Sequence, residues 1–153
     1  MNIWEQIISN QVLVSAALAW LVAQVLKTII DFKVYKTFNP ERLVGSGGMP
    51  SSHSSTVCAL TTSAFMKYGA GSFEFAICFI LAMIVMYDAM GVRLETGKQA
   101  VVLNALLREN PFEWKGDILD EKLKEFVGHT PLQVFAGAIL GIVMALVIGV
   151  NFY

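Results

Sequence analysis

Two histidines are the whole imidazole complement of this 153-residue chain, and each stands where an anion could be handled. His53 lies in GGMPSSHSS, residues 47–55, just ahead of an apolar segment. Turn residues followed by serines and then a helical run predict a helix N-terminus, whose unbonded backbone N–H groups and dipole favour negative charge. Ser51 and Ser52 add hydroxyl donors at that mouth. His129 lies in GHTP, immediately before the last apolar run. Two imidazoles beside such a turn can divide a phosphoryl transfer, one attacking phosphorus while the other protonates the departing oxygen.

The charged residues agree with that chemistry. Lys27, Lys36 and Arg42 follow the first apolar run, and Asp88 and Arg93 close the third. Cations near a phosphate stabilise the charge that develops on its equatorial oxygens. The competing reading is structural, with Lys27, Lys36, Arg42 and Arg93 as anchors at membrane ends and Asp88 simply paired with Arg93. An acidic residue near hydrocarbon is costly without such a partner.

These residues need elements to carry them, and the composition says which. Apolar residues make up 56% of the chain and charged ones 15%, with a mean hydropathy of +0.60, values that do not suit a soluble domain of this length. A helix needs about 20 apolar residues to cross a bilayer. Four candidate spans follow: residues 12–30, the shorter Ser/Thr-rich 54–68, 73–92, and 132–152, which contains no charge. YGAGS (residues 68–72) is a tight connection between the second and third. The polar stretch 93–130 divides into two helices around ENPFEWKG, the later one amphipathic through Leu119, Leu123, Phe126 and Val127, capped by Asp117 and Gly128, and suited to the interface.

Lysine and arginine orient the bundle. Lys33, Lys36 and Arg42 lie in one loop, and Arg93, Lys98, Arg108, Lys115, Lys122 and Lys124 in another, against Lys67 alone on the far side. The positive-inside rule then places both termini outside and both large loops in the cytoplasm. His53, His129, Asp88, Arg93 and the three cations after the first span all fall at that one depth. In the last span Gly137, Gly141, Ala145 and Gly149 form a small-residue ridge at four-residue spacing, suited to close helix packing within the chain or to a homodimer seam. Cys58 and Cys78 lie inside apolar segments and read as core residues.

The motifs resemble a known family. PSSH (Pro50 to His53) is similar to the P-S-G-H motif of the type 2 phosphatidic acid phosphatase superfamily, which also contains vanadium haloperoxidases. GHTPLQVFAGAILG (residues 128–141) is similar to that superfamily's third motif. SGGMPSSHS, VMYDAMGVR, GKQAVVLN and GHTP together resemble its divergent branch of small bacterial and plastid membrane proteins, over most of the chain from Arg42 to Gly141. The resemblance implies that His129 forms a phosphohistidine and His53 is the general acid. It implies that Ser52, Arg93 and Arg42 bind phosphate, together with either Lys27 or Lys36. The chain departs from the pattern at the first motif, where Lys36 is one residue too close to Arg42 and Leu43 replaces proline, and in two further places. Arg93 is far upstream of His129, and Gln133 stands where an aspartate normally orients the nucleophile. Asp88 could supply the missing charge through space.

The expected protein is an all-α integral membrane bundle of about four spanning helices with cytoplasmic interfacial helices, one domain over residues 1–153, in a bacterial plasma membrane as the resemblance implies. It would hydrolyse a phosphate monoester or diphosphate carried by a lipid, such as phosphatidic acid, phosphatidylglycerol phosphate or a prenyl diphosphate, with no cofactor and no metal. The alternative is a non-catalytic protein using the same pocket to bind phospholipid or scaffold a partner. Neither H-E-x-x-H nor paired cysteines suggest zinc, no G-x-S-x-G elbow suggests a serine nucleophile, and a net charge of −1 gives no basis for nucleic-acid binding.

Overall fold

The computed structural model of the chain describes residues 2–36, 47–109, 123 and 128–152. Among these residues six helices follow in order: α1 (Ile3–Ile8), α2 (Gln11–Tyr35), α3 (Ser52–Tyr68), α4 (Phe73–Met90), α5 (Val92–Glu109) and α6 (Pro131–Phe152). No strand occurs among the described residues. The expected interfacial helix over 119–127 and Arg42 lie outside the described residues, Leu123 excepted.

The starts of the helices are written in short polar residues. Asn2 and Glu5 form a reciprocal capping box on α1, Asn10 caps α2, Ser51 caps α3 and Ser72 caps α4. The connection at 69–72 turns tightly because Gly69 takes a φ of 82°, a conformation glycine adopts without steric penalty.

Among the described residues three stretches are long and apolar enough to cross a membrane: Gln11–Val34, Phe73–Leu106 and Pro131–Val150. The second is longer than the sequence pattern suggested, because helix resumes directly after Gly91, although α5 opens with the charged residues Arg93, Glu95 and Lys98. The expected span at 54–68 corresponds to α3, whose 17 residues reach about 25 Å. Of α2, α3, α4 and α6 it is the least apolar and the most enclosed, packing against the other three. Three of its hydroxyls bond to backbone carbonyls: Thr56 to Ser52, Thr61 to Val57 and Cys78, and Ser55 to Ala19 of α2. Hydroxyls satisfied in this way sit in a helix core without the cost of an unpaired polar group.

The bundle is apolar outward and small or polar inward, the reverse of a soluble protein. Ile84 is 61% exposed and Phe135 63%, as expected for side chains meeting lipid tails. The inward stripe of α2 is Gln11, Ser15, Ala19, Ala23 and Lys27, all buried at four-residue spacing. Ala19, Ala59 and Ala145 meet at the centre, where side chains this short let α2, α3 and α6 approach closely.

Contacts along these stripes set the directions. Residues 51, 55 and 66 of α3 and its cap lie against Gly137, Gly141 and Gly149 in the same order, so α3 and α6 run parallel. Gln11 lies beside Gly149 and Lys27 beside Ser52, so α2 runs opposite to both. Cys58 and Met86, with Thr61 and Cys78, set α4 antiparallel to α3. The chain therefore crosses back and forth, and the start of α3 and the approach to α6 share one end with the last turns of α2 and α4.

The glycine ridge of α6 packs within the chain. A Cβ at Gly141 would strike the Ser55 carbonyl oxygen, and one at Gly137 the Ser51 carbonyl oxygen. Gly141→Ala should cost about 1–3 kcal/mol through this overpacking, measured as a lowered unfolding temperature in detergent. The same change at Gly71, where a Cβ meets nothing, is the control and should leave that temperature unmoved.

Candidate active site

The first turn of α3 builds one wall. Ser51 Oγ accepts the Ser54 N–H at 3.3 Å and the Ser54 hydroxyl at 2.9 Å. The N–H groups of Ser52 and His53 have no acceptor within the helix, as at any first turn. Gly48 precedes this turn with a φ of 93°, so the GGMP segment can fold back without a side chain in the way. The Ser51 N–H donates to the Gln133 carbonyl at 3.1 Å, tying the wall to the start of α6.

Lys27 enters from α2. It is 1% exposed, and its Nζ reaches Ser52 Oγ at 3.4 Å. A buried ammonium is costly unless anions or acceptors face it, and Ser52 Oγ is one such acceptor. Of the two first-span lysines, Lys27 is therefore the one at the serine turn. Lys36 caps the far end of α2 in a left-handed conformation with its side chain exposed, nine residues or about 13 Å further along the axis.

His129 supplies the opposite wall, 2% exposed. Its backbone N–H donates to the Ala89 carbonyl at 3.0 Å. Beside it Gly128 has a φ of 88° and lies so close to the Arg93–Leu94 backbone that no Cβ fits. The His53 and His129 rings stand edge to face with centroids 6.2 Å apart.

Gln133 determines which nitrogen of His129 is available. Thr130 and Gln133 form a capping box at the start of α6, with Pro131 at the first helical position. Gln133 Oε1 accepts the Thr130 N–H at 3.1 Å, which orients the amide with its oxygen toward the histidine. That oxygen lies 3.2 Å from His129 Nδ1, and an oxygen already accepting from Thr130 can only accept again. Nδ1 therefore carries the proton, and Nε2 bears the lone pair. Nε2 is buried and has no hydrogen-bond partner among the described residues. The Gly48 carbonyl also faces the ring, without a hydrogen bond to Nε2. Burial pushes the His129 imidazole below its ordinary pKa, and Lys27 and His53 push the same way. The Gln133 and Gly48 contacts offset this only in part.

Asp88 and Arg93 sit at the rim. Arg93 Nε donates to Asp88 Oδ2 across the break between α4 and α5, and both side chains are well exposed. Burial, Arg93 and Lys27 push the His53 imidazole below its ordinary pKa and Asp88 opposes them, whereas the charges that weigh on His129 are Lys27 and His53, with no carboxylate among them. The group on Nδ1 is thus Gln133, and Asp88 serves Arg93 instead. The sequence residues His53, His129, Ser51, Ser52, Lys27, Asp88 and Arg93 all meet at one end of the bundle.

The chain matches the family described as Divergent PAP2 family over residues 8–144. The chain belongs to the divergent PAP2 family. A relative is the uncharacterized membrane protein YuiD of Bacillus subtilis (strain 168), 38% identical over 156 residues that span 96% of this chain and 99% of YuiD. No solved structure matches the chain. In this family member the Gly48, Ala89 and Asn104 contributions escaped sequence reasoning. The first two act through backbone carbonyls, which leave no trace in residue type. Asn104, buried on α5, clasps both the N–H and the carbonyl of Leu123, at 3.2 and 2.9 Å, holding the chain ahead of Gly128. A lone asparagine in the apolar run AVVLNALL of α5 was its only signal.

Proposed function

We propose that this divergent PAP2 protein is a membrane phosphatase that hydrolyses a phosphate monoester or diphosphate on a lipid through a phosphohistidine at His129. The observation that carries the reading is the buried, lone-pair-bearing Nε2 of His129, on a ring held at Nδ1 by Gln133 and set edge to face with a second imidazole. Attack places nitrogen about 3–3.5 Å from phosphorus, and acid catalysis places a donor about 2.6–3.2 Å from the leaving oxygen. A ring separation of 6.2 Å suits a phosphoryl group held between the two.

In the first step Nε2 forms a bond to phosphorus, the P–O bond to the lipid breaks, and His53 gives its proton to the departing oxygen. In the second, water loses a proton to His53 as its oxygen attacks phosphorus, and the P–N bond breaks. Lys27, Ser52, the first-turn N–H groups of α3, Arg93 and Arg42 hold the non-bridging oxygens. A headgroup lying at the membrane surface reaches this depth without its chains leaving the bilayer. The cation-rich segments flank the same end of the bundle, which supports a cytoplasmic pocket with both termini outside.

The test is phosphate release from a panel of lipid phosphates and prenyl diphosphates by detergent-purified protein, with acid- and base-stability of any labelled intermediate. A base-stable, acid-labile phosphoenzyme is expected. Folded protein that releases phosphate from none of them would leave only a binding role.

A further inference from the structure

Helix α4 ends at Met90, and α5 begins at Val92, with Gly91 as the break between them. This junction is not a free bend. Ala89 accepts the His129 N–H, and Gly128 is pressed on the Arg93–Leu94 backbone. The Asp88–Arg93 pair spans the break immediately above these contacts. Backbone positions are therefore held, while the two side chains at the rim keep the freedom that their exposures of 39% and 47% allow. A half-exposed ion pair is weak enough to exchange partners.

The pocket behind them is strongly cationic. The cations Lys27 from α2 and Arg93 from α5, with the N–H groups of the first turn of α3, would favour a phosphate left after turnover, and the same features would let free phosphate occupy the site. Asp88 is the one carboxylate among the described residues that acts on His53. We propose that Asp88 is a positioning residue that competes with phosphate for Arg93, so that the guanidinium turns to the anion when substrate arrives and returns to the carboxylate when inorganic phosphate must leave. The inference rests on the reading of the pocket as a phosphate site. Its consequence is selectivity. A lipid phosphate gains additional binding from its chains in the bilayer, whereas free phosphate must pull Arg93 from Asp88 with nothing else to offset that cost.

A simple structural role for Asp88 predicts that removing it loosens the junction and weakens anion binding. Competition predicts the opposite sign. Inorganic phosphate binding to the purified full-length protein should tighten about fivefold in Asp88→Asn, the size of one exposed ion pair, while Asp88→Glu stays near wild type. Arg93→Gln should weaken binding, and adding Asp88→Asn to it should give nothing back. With a lipid phosphate substrate, Asp88→Asn should lower kcat, as slow release requires, and increase product inhibition. Unchanged or weaker phosphate binding in Asp88→Asn overturns the proposal, as does a gain that persists without Arg93. Failure of the wild type to bind phosphate or vanadate at millimolar levels overturns the phosphate site itself, and this inference with it.

Discussion

His129→Ala removes phosphate release altogether, a loss of about 10⁴-fold or more, as expected when a nucleophile that acts as part of a unit is deleted. The protein should still fold. The hydrogen bond that ties this residue to α4 uses its backbone N–H and the Ala89 carbonyl, and alanine retains it. No labelled phosphoenzyme forms in this variant. His53→Ala behaves differently, because an acid is needed only in proportion to how badly the leaving oxygen wants a proton. With a lipid alkoxide the loss is about 10²–10⁴-fold. With nitrophenyl phosphate, whose phenolate departs without a proton, most of it disappears while His129→Ala remains inactive. The comparison needs two substrates and two variants, and equal losses on both substrates for His53→Ala would remove the acid role from that residue.

The assignment depends on two histidines meeting, and the reason their meeting was visible in the sequence is topological. Each histidine stands next to the start of an apolar run, and back-and-forth helices joined by a short turn and a long polar stretch bring those two starts to one end. Lys27 and Lys36 show where such reasoning stops. Both follow apolar residues, and only the course of α2, helical to Tyr35 with a left-handed cap at Lys36, turns Lys27 inward toward Ser52. The alanine and glycine stripes predict close approach but do not say to what. The Ser55 and Ser51 carbonyls against Gly141 and Gly137 come from the register of α3 on α6, which no spacing within one helix specifies. Asp88 was readable as either of two partners, and an interaction five residues along the chain, with Arg93 across a helix break, took precedence over a longer reach to His129.

Gln133 is the residue whose meaning changed most, and it yields the sharper quantitative test. Read against the family pattern, glutamine in the place of aspartate looks like a lost charge. In the fold it is the N3 residue of a T-x-x-Q capping box, and its oxygen serves the helix start and the imidazole together. Two of the duties of an aspartate, tautomer and orientation, are therefore met without a charge. The third, stabilising imidazolium, is absent. Attack then begins from a neutral imidazole that burial already keeps unprotonated, so the acid limb of kcat/KM should lie below the ordinary imidazole value of about 6.5. Gln133→Leu keeps the size but loses the acceptor. It should cost only about 1 kcal/mol of stability through the cap but about 10³-fold in kcat, in line with the penalty for a histidine freed to the wrong tautomer. Gln133→Glu keeps the geometry and adds the charge. A carboxylate on Nδ1–H favours imidazolium, so the His129 pKa rises and the acid limb moves up by about one unit or more, with turnover near neutral pH largely preserved. An acid limb that stays in place in Gln133→Glu, or a Gln133→Leu enzyme that keeps its kcat, would mean that this side chain serves the helix and not the histidine.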